Sequence, residues 1–173
     1  MPLVILPKQR DPRLVTVRRG GSLTDVDHRL LAIWAAACAG HVLHHVEQQR
    51  REETRPHDAL RISAAWVRGE ATMRQAHQAS FAANAAAREL TGAARFAALS
   101  AGQAVAVAHV AAHDLGAAAY AIRAAAAADP EQSGEAAKGE RDWQREQVPP
   151  HLLALVLEDQ QNRNDLCWGV FAD

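Results

Sequence analysis

The chain has 173 residues, a formal net charge of −1, 49% apolar residues and only 5% aromatic ones, a length that suits one domain with a sizeable core. The near-neutral balance argues against a nucleic-acid binder held by bulk electrostatics. Cys38 and Cys167 are the only cysteines, too few for a disulfide framework or a cysteine-built zinc site, and no uncharged apolar run approaches the roughly 18 residues a membrane span needs.

Much of the apolar content is alanine, which favours helix but buries little area per residue. The core must therefore come from close helix approach. Charge is uneven along the chain. Residues 1–21 carry Lys8, Arg10, Arg13, Arg18 and Arg19 against Asp11, while residues 129–173 carry ten acidic side chains against four basic ones. Basic arm and acidic tail are expected to pair with each other before either meets a partner. "MPLVILPKQ" reaches a proline after four apolar residues, too soon for a secretory signal, so a reducing cytoplasm is the expected setting.

"LVIL" and "LVTV", separated by "PKQRDPR", read as a small hairpin or an extended arm over residues 3–18, within an N-terminal arm of residues 1–21. Residues 22–173 read as a single helical domain. Ser22 and Thr24 are cap candidates for the first helix, with Asp25 and Asp27 at its positive end. Leu30, Leu31, Trp34, Cys38, Val42 and His45 then fall on one stripe. Pro56 suits the first turn of a second helix that stops at Gly69. "TMRQ" (Thr72 to Gln75) fits a capping box that opens a third helix running to Leu90, and Gly92 marks a break.

A fourth helix is expected from Ala93 to Ala128, where Asp129-Pro130 stops it. From 101 to 128, 15 of 28 residues are alanine, the pattern of a central helix surrounded by neighbours. Gly102 and Gly116 would let those neighbours come close. "EQSGEAAKGE" reads as a polar linker before a short helix around Trp143, and Pro149-Pro150 opens a last helix. The expected fold is all-α: a bundle of about six helices around the alanine-rich one, with the arm at its N-terminus.

His109 and His113, four residues apart, would share one face of that fourth helix. The same spacing builds the zinc site of helical metalloproteases, but the glutamate that acts there as general base directly follows the first histidine, and here Val110 stands in its place. A third ligand would have to come from His41, His44, His45, His77 or Cys38 on another helix. The expectation is no metal and no cofactor, with both histidines hydrogen-bonded across the bundle; a metal, if present, would sit on His109 and His113. The "HVLHH" cluster suits a helix C-terminus without any ligand. No nucleophile elbow and no phosphate-cradling loop is present, so no catalytic residue is assigned. Trp34, Trp66, Trp143 and Trp168 read as core anchors of four segments, and "CWGVF" as a packed tail rather than an exposed hook.

"RLVTVRRGGSLTDVDHRLLAIWAAACAGHVL", "ISAAWVRGE", "GAARFAALSAGQAVAVAHVAAHDLGAAAYAIRAA", "ERDWQREQ" and "LEDQQNRNDLCWGVF" resemble a family of small all-helical bacterial immunity proteins found beside polymorphic toxins. The likeness runs through nearly the whole chain after residue 13. It implies a cytoplasmic protein that binds and silences a cognate protein toxin, and it brings no catalytic residue set. One departure is "HQASFAANAAAREL" in the third helix, where a polar family site would be occupied by His77 and Asn84.

The expected function is therefore non-catalytic neutralisation of a toxin, with no nucleic-acid or membrane partner. The alternatives are a small-molecule-binding or metal-dependent resistance protein or enzyme built on His109 and His113, and a homo-oligomeric structural protein. The binding candidates are His109 and His113, together with an acidic surface of Glu140, Asp142, Trp143 and Glu146 facing a basic toxin.

Overall fold

The computed structural model describes residues 5–173, so residues 1–4 of the expected arm, with Leu3 and Val4 of the expected hairpin, lie outside the described residues. Among those residues there are eight α-helices and no strand: α1 (Asp25–Val42), α2 (His44–Gln49), α3 (Arg55–Val67), α4 (Met73–Arg88), α5 (Gly92–Ala106), α6 (Asp114–Ala128), α7 (Ser133–Glu146) and α8 (Leu153–Asn162). The fold is all-α, close to the expected count.

Several helices begin where their caps place them. Thr24 Oγ1 accepts the Asp27 N–H at 3.1 Å, satisfying one of the free donors of the first turn. Leu31, Trp34, Cys38 and Val42 of the expected stripe are buried on α1. At Thr72 the capping box is complete: Thr72 Oγ1 accepts from Gln75 N at 3.2 Å, and Gln75 Oε1 accepts from Thr72 N at 2.8 Å. Helix α3 carries Pro56 in its first turn and ends before Gly69, whose φ of +76° needs a glycine.

Three expectations are corrected. The hairpin does not form among the described residues. Instead the arm makes two 3₁₀ turns, Pro12–Leu14 and Val17–Arg19, and folds back so that Ile5 and Leu14 enter the core. The stretch read as a polar linker is the first half of α7. Its buried face is polar, made of Glu140, Arg141 and Gln144, so no apolar periodicity betrays it. The expected fourth helix is two helices, α5 and α6, which pack against each other more extensively than any other pair.

Helices α5 and α6 form the centre. Around them stand α1, which touches both, α2, α3 and α4 against α5, and α7 and α8 against α6. Close approach is built from small residues. Ala97, Ala98, Ala101, Ala104, Ala117, Ala118 and Ala121 are fully buried, and Ser100 Oγ donates to the Ala117 carbonyl at 2.7 Å. Gly102 faces Asn84 of α4, where a Cβ would stand 2.6 Å from Oδ1; Gly116 faces Gln103 of α5. Trp34 is the one fully buried tryptophan, its Nε1 donating to the Gln144 carbonyl of α7 at 2.8 Å.

Candidate functional site

Breaking an alanine helix at residues 107–113 strands backbone carbonyls in the interior, and each needs a donor. Three long side chains from three different segments supply them. His28 Nε2 on α1 donates to the Val107 carbonyl at 2.5 Å, Arg19 Nη1 of the arm to the His109 carbonyl at 2.8 Å, and Arg163 Nη1 to the Ala112 carbonyl at 2.8 Å. The break is thus the point where arm, α1 and tail meet.

His109 sits inside the break and His113 in the 3₁₀ turn Ala111–His113 before α6. They do not share a helix face, contrary to the spacing argument, because no helix runs through them. Their rings still lie 5.5 Å apart, edge to face, and His109 touches His77 of α4 at 5.0 Å. His77 in turn meets the exposed Phe81 at 4.7 Å. His113 Nδ1 donates to Gln103 Oε1 at 2.7 Å, the expected bond across the bundle. The result is a row of rings from the interior to the surface of α4.

All three imidazoles near the break favour the neutral form. Burial, aided by His109, Arg10 and Arg163, pulls His113 down to about 4. His109 and His28 are lowered by burial first; at His28 the Val107 hydrogen bond and Asp25 oppose the fall, and at both Arg19 adds to it. His109 Nδ1 is buried without a partner, so the bond across the bundle expected of His109 does not form there, and Asn84 Oδ1 is likewise unpartnered. Among the described residues no group of three or more His, Cys, Asp or Glu is placed to hold a metal ion.

Beside His109 opens a cleft of about 440 Å³ between the arm and the break. Its walls include Arg10, Arg18 and Arg19 from the arm, His28 and Trp66, Met73 at its rim, and Ala108 to Ala111. No carboxylate lines it.

The acidic candidates are placed otherwise than the acidic-surface reading expects. Glu140 is only 6% exposed; its Oε2 accepts His41 Nδ1 at 2.7 Å and its Oε1 accepts Gln144 Nε2 at 3.0 Å. It is an interior tie rather than a surface charge. Trp143 stacks on His41 at 3.7 Å, and Asp142 pairs with Lys138 at 2.6 Å. Glu146 alone stands exposed at the end of α7.

Among the described residues the basic arm and acidic tail meet through one direct ion pair, Arg13 to Glu158 at 2.8 Å. "CWGVF" packs as expected. Cys167 and Phe171 are buried, and Trp168 lies against Tyr120 and under the Arg123 guanidinium, which also covers Phe96.

Sequence reading missed the arm's part in this site. Arg10, Arg18 and Arg19 were legible only as a basic run, and Trp66 and His28 only as core. One signal was available: Asp114 is a helix-starting residue in the middle of an alanine run.

Among the described residues no helix is long and apolar enough to cross a membrane. Comparison with curated proteins finds no match, nor does comparison with solved structures. The model of the Imm-5 like putative immunity protein family matches residues 21–151, so that His28, Trp66, His109 and His113 fall within the matched segment and the three arm arginines before it, and the chain belongs to that family.

Proposed function

We propose that the chain is a non-catalytic immunity protein that acts in the cytoplasm by binding a cognate protein toxin. Family membership over residues 21–151 is the observation that carries this reading. The open cleft beside His109 supports it, because it joins a packed interior to the exposed Met73 and the part-buried Trp66. Partially exposed aromatic groups anchored on packed helices are what binding hot spots use.

The test is co-expression with the toxin gene adjacent to this one. Cells should grow only when this chain is present, and the two purified proteins should co-elute as a stable complex. Growth arrest despite a folded, abundant chain would contradict the reading.

One observation favours a second reading, a small-molecule resistance protein: the cleft volume of about 440 Å³ lies within the usual range of ligand sites. A small molecule that survives purification and is lost in a His109→Ala variant would favour it.

A further inference from the structure

We propose that the cleft between the arm and the 107–113 break receives a carboxylate of the toxin, an aspartate or glutamate side chain, with Arg10 as its main counter-ion. This rests on the toxin-binding reading and says where, and by what chemistry, the partner is recognised.

Three arginines line the cleft and no acid does, in a chain whose net charge is only −1. A concave wall of one sign focuses its field on the opening. The three are not equally available. Arg19 is committed to the His109 carbonyl, with its other nitrogen near Met73 Sδ. Arg18 pairs with Asp25 at 2.8 Å outside the cleft. Arg10 is exposed and has no hydrogen bond or ion pair among the described residues.

Its neighbours suit an anion as well. His109 and His113 feel the Arg10 charge and stay neutral, so the guanidinium is the cation an incoming group meets. The planar fork matches a carboxylate through two parallel bonds. Met73 and Trp66, which line the cleft, offer apolar contact beside the pair.

The experiment uses the full chain and the product of the adjacent toxin gene, inactivated by mutation, in a binding titration at several salt concentrations. Arg10→Glu should weaken binding about 30-fold or more, through faster dissociation as the enclosed pair is lost and slower association, with a flatter salt dependence. Its melting temperature should equal the parent's, since Arg10 holds nothing in place. The double variant Asp142→Lys/Glu146→Lys should bind within about threefold of the parent.

If the parent binds the toxin and Arg10→Glu binds equally well, the cleft assignment is overturned while toxin binding stands. Loss of binding in the α7 double variant, with Arg10→Glu unaffected, overturns it likewise. If the parent does not bind the toxin, the toxin-binding reading falls, and titration with glutarate separates what is left. An Arg10-dependent glutarate signal would make the source a free carboxylate rather than a toxin side chain, and no signal would overturn the site itself.

Discussion

His113 and Asp114 are neighbours with opposite titration behaviour, and each makes a separate contribution to stability. His113 titrates near 6.5 in the unfolded chain and about 4 in the folded one, so the unfolded state binds the extra proton first as pH falls. Its contribution is complete above about 6.5 and is lost on the way down to about 4. His28 and His109 shift in the same direction. His113→Ala should cost about 1–3 kcal/mol at pH 7.5, because Gln103 loses its donor in the interior. It should also flatten the loss of stability between pH 6.5 and 4, which chemical denaturation at several pH values measures. A parallel, merely displaced profile would show that His113 does not titrate as described. Asp114 runs the other way. Full burial pushes its carboxyl up from 3.8 to about 7, with Asp159 adding to the rise and Arg163 opposing it. The folded state keeps this proton longer than the unfolded chain, so each step from 3.8 to 7 removes stability. Asp114→Asn should therefore raise the melting temperature at pH 8 more than at pH 5; an equal change at both would refute the assignment.

At the level of elements, what was legible depended on whether a local signal existed. Thr24 and Thr72 announce their helices by capping chemistry, and both caps form. The break inside the alanine run has neither glycine nor proline to mark it. A continuous helix of residues 93–128 would be roughly 54 Å long at 1.5 Å per residue, far longer than a domain with a radius of gyration of about 16 Å. Such a helix would leave most of its apolar circumference in water, so tertiary packing overrides alanine propensity. The polar buried face of α7 hid that helix for the converse reason. His28, Arg19 and Arg163 could not be recognised as donors before the carbonyls they cap were known. Two glycines test this account. A Cβ on Gly116 would run into the Gln103 amide that receives the His113 bond, so Gly116→Ala should destabilise and should also remove most of the further effect of His113→Ala. A Cβ on Gly21 would strike the Val15 and Pro12 carbonyls. Backbone cannot rotate aside as a side chain does, so Gly21→Ala should lift the arm and speed proteolysis near Arg10 while the helical signal stays close to the parent's.

Across the whole molecule, the arm, the 107–113 break and α8 close on one buried cation. Arg163 is 3% exposed. It bonds both carboxylate oxygens of Asp159, lies 3.6 Å from Asp114, caps the Ala112 carbonyl and reaches the Ile5 carbonyl of the arm at 3.5 Å. From the same segment the tail departs, held by Arg141 on the Ala172 carbonyl and by Arg145 on Asp173 and the Phe171 carbonyl. A core made largely of alanine gains little area from each residue, so such ties carry more of the specification of where the termini lie. Removing the cation leaves Asp159 buried without its partner, which costs about 3–5 kcal/mol, and takes away the charge that opposes the rise at Asp114. Arg163→Met, which keeps much of the volume, should therefore destabilise the whole domain, increasingly as pH rises, because the Asp114 carboxyl is pushed further up. Because Arg163 reaches the arm at the Ile5 carbonyl, limited proteolysis of this variant should cut near residues 8–13 before the body of the domain. Asp159→Asn combined with Arg163→Met removes the unpaired Asp159 charge and should recover part of the loss without restoring the protection of the arm. If the single variant's arm stayed as resistant as the parent's until global unfolding, it would be held by its other contacts, among them the apolar packing of Ile5 and Leu14.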